Sequence, residues 1–218
     1  MFREYSEKTI ERLILIYADF HIHTIYSNDS TITPKNLVNH LVGHNFVKVV
    51  AITDHDTIKG LNEIIKLAAP YPDIRIIPGV EISTNQGDIL VLGTTEIPKK
   101  PWTIEAIIDF THSVGGLSIV AHPYREYGMG DIAKDHKFDA VEVLNGESSL
   151  DANRQAKKLA KTMKVPGIAG SDAHSPAEIC SVFTEVRASL DIEEILKSIK
   201  KGFVSIPPKA NSNKNINF

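Results

Sequence analysis

The chain has 218 residues, a length that suits one sizeable domain, and its 42% hydrophobic and 23% charged content excludes collagenous, wholly disordered and membrane-embedded classes. A formal net charge of −3 supplies no global attraction to nucleic acid. The lone Cys180 excludes an internal disulfide and fits a reducing cytosol, and nine histidines beside it direct any metal chemistry toward nitrogen and oxygen ligands.

The first element expected is a strand over Leu13 to His21, whose continuous apolar character suits cover on both faces. Its run Leu13 to Tyr17 is far short of the roughly 20 residues a membrane span needs, and no membrane partner is expected. A helix follows, with Thr33 as its cap, Pro34 in its first turn and Leu37, Val38, Leu41 and Val42 at helical spacing. Val47 to Thr53 reads as strand, Gly60 to Ala69 as a helix ended near Pro70 and Pro72, and Ile74 to Ile82 as strand again. Asp88 to Leu92 is a short strand, Thr103 to Val114 a helix closed by Gly115-Gly116, and Leu117 to Ala121 the next strand. Strands Asp139 to Leu144 and Val165 to Gly170 flank a helix over Leu150 to Lys161, and Ile192 to Lys201 forms the last helix. Cys180 to Arg187 alternates as an edge strand, and the asparagine-rich end from Asn211 to Phe218 belongs to a polar tail. The organisation expected is one domain over 1–206 with a tail over 207–218, built on a parallel sheet that is either open or closed as a barrel.

Titratable residues collect where these strands end. His21 and His23, Asp54 to Asp56, Glu81, His122, and Asp172 with His174 all follow apolar runs. In parallel α/β folds the loops after the strand C-termini surround the ligand site, so these residues are expected to converge there. His21-Ile22-His23 can aim both imidazoles to one side of an extended segment. Asp54-His55-Asp56 crowds three titratable groups that need a compensating cation, although Asp56 could equally cap a helix. Glu81 sits in an apolar strand where an unpaired charge is costly, and a carboxylate can bridge two cations. His122, before Pro123, has an extended backbone bias, and Asp172-Ala173-His174 repeats the i, i+2 pairing. His40, His44, His112 and His136 lack acidic neighbours at ligand spacing and are read as ordinary. There is no phosphate-binding glycine loop and no nucleophile elbow.

The segments Asp19-Phe20-His21-Ile22-His23-Thr24, Thr53-Asp54-His55-Asp56, Pro78-Gly79-Val80-Glu81, Ala121-His122-Pro123 and Gly170-Ser171-Asp172-Ala173-His174, in this order, resemble those of the PHP (polymerase and histidinol phosphatase) family. The resemblance implies an α/β fold, a distorted (β/α)7 TIM-like barrel, and two or three divalent metal ions, zinc, manganese or iron. It implies one metal on His21, His23, Glu81 and Asp172, a second shared by Glu81 with His122, and a third held by His55 and His174 with Asp29. The histidine that many relatives carry on the strand after the glutamate is absent, and Asp88 is the oxygen donor that could stand in for it. The long helical insertion that some relatives carry before the Ala-His-Pro segment is also missing. The expected activity is hydrolysis of a small phosphorylated substrate, a phosphomonoester or nucleotide, by a metal-activated water. Glu81 and His55 would serve that step directly, Asp54 or Asp56 would orient His55 or relay a proton, and Arg125 would clamp the phosphate or else pair with Glu126. Two alternatives stand beside it: a nuclease on single-stranded oligonucleotides, less favoured by the charge, and a non-catalytic domain stabilised by its metals.

Overall fold

A computed structural model describes residues 13–208. The first strand, β1, spans Ile14–Asp19, and the Thr33 hydroxyl then accepts the Asn36 amide 3.1 Å away to open helix α1, Pro34–Gly43. Such a cap contributes about 1 kcal/mol, and Pro34 at the first position loses no helical bond there. Leu37, Val38 and Leu41 form the buried stripe of α1, while Val42 faces solvent. Strand β2, Val47–Ile52, leads to α2, Leu61–Ala68, and then to β3, Arg75–Thr84. After β4, Gly87–Leu92, the Thr103 hydroxyl caps α3, Ile104–Ser113, before β5, Leu117–Val120. Strand β6, Ala140–Asn145, is followed by α4, Leu150–Met163, capped by Ser149, and by β7, Gly167–Gly170. The chain ends in β8, Thr184–Ala188, α5, Ile192–Lys200, capped by Asp191, and the short β9, Val204–Ser205.

These strands form one sheet in the order β7-β6-β5-β4-β3-β2-β1-β8-β9, curled into a nearly closed, distorted barrel. The parallel sheet expected from the alternation holds for β1/β2, β2/β3, β5/β6 and β6/β7. It fails at β4, which runs antiparallel to both β3 and β5, because only Asn85 and Gln86 separate β3 from β4 and a hairpin is the sole connection so short a link permits. It fails again at β8, antiparallel to β1 and β9. The edge strand expected over Cys180 to Arg187 is also corrected: β8 begins at Thr184 and lies between two strands, since the chain returns through β9 to cover its outer side. The expected tail over 207–218 falls almost wholly outside the described residues.

The one seam that this strand order leaves, between β7 and the β1–β8–β9 side, is closed by two different means. Thr184 spans the seam toward β7, accepting the Ala169 amide at 2.7 Å and donating to the Ala169 carbonyl at 3.2 Å. Beyond the strand ends, Asp172 N donates to His21 O at 2.7 Å and His23 N to Ala173 O at 3.1 Å, so the chain after β1 meets the chain after β7 directly. Inside, Phe20, Ile77, Leu90, Leu92 and Ile119 pack with Ile195, Leu196 and Ile199 of α5, which therefore floors the end opposite the strand C-termini. Helices α1 and α2 cover one outer face, α3 and α4 another. Among the described residues no helix is long and apolar enough to cross a membrane.

The seam at Thr184 generates a test. Thr184→Val keeps the shape but leaves the buried Ala169 N–H without its acceptor, and urea unfolding is expected to report a loss of about 1–3 kcal/mol.

Candidate metal centre

The residues singled out above meet at the open end of the barrel. His21 and His23 follow β1, His55 follows β2, Glu81 lies within β3, Asp88 in β4, His122 after β5, and Asp172 and His174 after β7. His21, His23 and Glu81 are completely buried and Asp172 nearly so. His21 Nε2 lies 3.0 Å from His23 Nε2, 3.1 Å from Glu81 Oε2 and 3.3 Å from Asp172 Oδ1. His23 Nε2 lies 3.2 Å from Glu81 Oε2 and 3.1 Å from Asp172 Oδ1.

Hydrogen bonding alone does not account for this packing. Two imidazole nitrogens facing each other can share at most one proton, yet both also face the same two carboxylate oxygens. Donors bound at about 2.0–2.2 Å to one divalent ion stand about 3.0–3.6 Å apart, the spacing found here. The donor set therefore fits a cation. The electrostatics agree: burial opposes the His21 cation, but Asp172, Glu81 and Glu142 outweigh it and hold that imidazole well above its ordinary value. His23, equally opposed by burial, is held at about 9 by Asp172 and Glu81, so the pocket favours positive charge.

Glu81 extends the cluster. Its Oε2 faces His21 and His23, while its Oε1 lies 3.0 Å from His122 Nε2 on the other side. Glu81, Asp88 and His122 form a second group of converging donors, and His23, His55 and His174 a third. Asp29 Oδ2, at 3.4 Å from both His55 Nε2 and His174 Nε2, stands beside that third group. The His55 Nδ1 atom is buried 3.2 Å from Glu81 Oε2 without a hydrogen bond. An orphaned nitrogen of this kind also fits a bound ion.

Other side chains hold these donors in place. Glu142 Oε1 lies 3.0 Å from His21 Nδ1, and its Oε2 accepts the His122 amide at 2.8 Å and the Asn145 side-chain amide at 3.0 Å. Asn145 also donates to Asp172 Oδ2 at 3.1 Å, and the Arg125 guanidinium donates to the same oxygen. Arg125 thus neither pairs with Glu126 nor points away from the centre. Asp54 does not turn toward the ligand atoms. Its carboxylate accepts from Thr24 N at 2.6 Å, Thr24 Oγ1 at 2.7 Å and Ser27 Oγ at 3.0 Å, and Ser27 in turn stands 3.2 Å from His23 Nδ1 and accepts the His55 amide at 2.9 Å. Asp19, fully buried, accepts amides from His21, Ser171 and Cys180, and so ties the segment after β1 to the segment after β7. Asp56, His122 and Asp172 all adopt positive φ (53°, 24° and 56°), a conformation costing about 1–3 kcal/mol each that the surrounding bonds must enforce.

Sequence reasoning missed Glu142, Asn145, Ser27 and Asp19. Glu142 carried the signal that picked out Glu81, an acid inside an apolar strand, and Asp19 ended an apolar run. Asn145 and Ser27 carried none. His112 pairs with Asp139 at 2.9 Å, His136 with Glu105 at 3.2 Å, and His44 accepts the Val47 amide at 3.0 Å. His40 stacks on His44. None of these four enters the three donor groups.

A family model described as PHP-associated matches residues 151–204. An uncharacterized protein of Methanocaldococcus jannaschii is 36% identical over 140 residues, 59% of this chain and 81% of the relative. A 5'-3' exoribonuclease of Haemophilus influenzae is 43% identical over 67 residues, 31% of this chain and 23% of that protein. Among solved structures, a two-domain protein from Bacteroides vulgatus, containing a predicted PHP-like metal-dependent phosphoesterase, superposes with a TM-score of 0.74 at 16% identity. That match covers 88% of this chain, which spans 64% of that structure.

The Glu142 contacts predict a specific defect. Glu142→Gln retains the shape but places one uncharged acceptor where His21 Nδ1, the His122 amide and Asn145 now converge. Divalent-metal affinity, measured by calorimetric titration, should fall about 10–100-fold with the melting temperature of the metal-free protein little changed.

Proposed function

The chain belongs to the PHP family, and on that premise we propose that it is a metal-dependent phosphoesterase that hydrolyses a small phosphorylated substrate. The observation that carries this reading is the Glu81 carboxylate, which offers one oxygen to each of two adjacent donor groups. His21, His23, Glu81 and Asp172 would hold one ion, Glu81, His122 and Asp88 a second, and His55 and His174, with His23 or Asp29 beside them, a third. When bound, such ions supply a strongly acidified water for attack on phosphorus and neutralise charge on the phosphoryl oxygens.

The chain's own residues do the rest. Glu142 and Ser27 fix the rings of His21 and His23 from behind, so that both Nε2 atoms point into the cluster. Arg125 sits at the edge, half-buried, with one guanidinium nitrogen on Asp172. Among the described residues its other guanidinium N–H groups bond no protein atom, which leaves them to receive a phosphate. Asp54 acts at one remove from the chemistry, by holding Ser27 and through it His23 and the His55 backbone. A reducing cytosol suits the single buried cysteine.

A second reading keeps the centre and changes the substrate to a single-stranded RNA shortened from its 5' end. It is favoured by the segment shared with the Haemophilus exoribonuclease. The two readings separate in one screen: the protein, stripped and reloaded with Mn2+, Zn2+ or Fe2+, is assayed on phosphomonoesters, small phosphodiesters and 5'-labelled single-stranded RNA. Turnover of small esters with the RNA left intact is the expected result. Release of mononucleotides from RNA at higher kcat/KM than any small ester moves the assignment to the second reading.

Two perturbations accompany the screen. Chelation should abolish turnover and divalent metal restore it. Glu81→Gln should lose both bound metal and kcat by more than the about 10–100-fold ascribed to a supporting residue, and full metal-dependent activity in that variant would refute the bridging role.

A further inference from the structure

Beyond the general reading of a metal centre, on which this inference rests, the donor groups differ in chemistry. We propose that Asp88, with Glu81 and His122, forms an oxygen-rich site that selects a hard divalent ion of the Mn2+ class, while the histidine-rich group takes Zn2+.

The pleat of β4 sets the position of Asp88. Side chains two apart on a strand share a face, and Leu90 and Leu92 both belong to the core that fills the barrel interior. Asp88 is thus the next inward position above Leu90, at the layer of the metal centre. Its side chain is 17% exposed, and its one cationic partner among the described residues is His122, at 4.0 Å. Glu81 stands close by with its own negative charge. A mostly buried carboxylate beside another, without a lysine or arginine, calls for a cation.

His122 points the same way. Its ring is buried, its Nε2 faces Glu81 Oε1 at 3.0 Å and Asp88 Oδ2 at 4.0 Å, and its Nδ1 has no partner. All the ring's polar contacts therefore lie at Nε2, which faces Glu81 and Asp88 and also stands 3.9 Å from Asp172 Oδ2. This group offers two carboxylates and one imidazole, whereas His23, His55 and His174 offer three imidazoles. Carboxylate oxygen suits Mg2+ and Mn2+, and imidazole suits Zn2+, so two neighbouring sites on one centre sort different metals. An imidazole at position 88 would erase that difference.

The test is a metal count that needs no turnover. Because Zn2+ binds any one nitrogen or oxygen site more tightly than Mn2+, stripped full-length protein is dialysed against Mn2+ in large excess over limiting Zn2+, and bound metals are quantified by mass spectrometry, with the Mn2+ environment read by electron paramagnetic resonance. Wild type should retain Mn2+ together with Zn2+. Asp88→Ala should lose about tenfold or more of the Mn2+ and keep its Zn2+, and Asp88→His should exchange the Mn2+ for Zn2+. Asp88→Asn, which keeps the shape, is expected to behave as Asp88→Ala and covers the case in which the alanine variant misfolds. Unchanged Mn2+ content in Asp88→Asn, or a wild type that retains only Zn2+, overturns the proposal while leaving the metal centre intact. A wild type that binds no divalent metal overturns both.

Discussion

The arrangement turns on one buried carboxylate. Glu81 is removed entirely from water, and an ion of its size costs several kcal/mol to desolvate unless the interior repays it. Repayment comes from its surroundings. Oε2 is ringed by His21, His23 and His55 at 3.1–3.2 Å, and Oε1 by His122 at 3.0 Å. Delivering it there requires β3 to change partners halfway. Arg75 to Pro78 pair with β2, and Gly79 to Thr84 pair with β4. A Cβ at Gly79 would stand 2.9 Å from Val91 O and 3.1 Å from Ile52 O, so glycine occupies the point where the strand passes between both neighbours.

Around Glu81, three more buried acids serve the backbone and the imidazoles rather than the donor cluster itself. Asp19 gathers three amides, Asp54 fixes the turn from Thr24 to Ser27, and Glu142 joins His21 to the His122 amide. Each is a carboxyl group whose burial is tolerable because N–H and O–H groups converge on it. Their combined effect is rigidity. His122 and Asp172 hold left-handed backbone conformations that a looser loop would relax, and these bonds keep the donors in place before any ion arrives.

Much of this was legible because strand ends in α/β folds converge and because ionisable residues after apolar runs are conspicuous. His21, His23, His55, Glu81, His122, Asp172 and His174 were found by that logic, and the resemblance added Asp29. The capped helices were legible for the same local reasons, through Thr33, Pro34 and the glycines after α3. What escaped depended on contacts between distant segments. The antiparallel setting of β4 follows from a two-residue link whose consequence for sheet direction periodicity does not report. The register of β6 shifts between Glu142 and Leu144, and an extra residue of that kind re-aims side chains without any mark in the pattern of hydrophobicity. Asp54 looked like a catalytic neighbour of His55 because they adjoin in sequence, whereas its bonds run back across the barrel mouth to Thr24 and Ser27.

Charge at the mouth also bears on substrate size under the proposed function. Glu81, Asp88, Asp172 and Asp29 place four carboxylates at the centre, and Arg125 is the sole lysine or arginine paired with any of them among the described residues. A phosphate adds further negative charge, so the ions must carry nearly all of its binding, and the protein supplies little to attract neighbouring phosphates of a polymer. Affinity for a long strand grows with each phosphate neutralised by lysine or arginine, and with a formal net charge of −3 the chain gives that term little help. The same centre can still engage one terminal phosphate at full strength, because that contact is local to the cations. A small phosphorylated substrate and the end of a strand therefore present the site with the same problem, and what separates them is whatever the rim beyond Arg125 offers to the rest of the molecule.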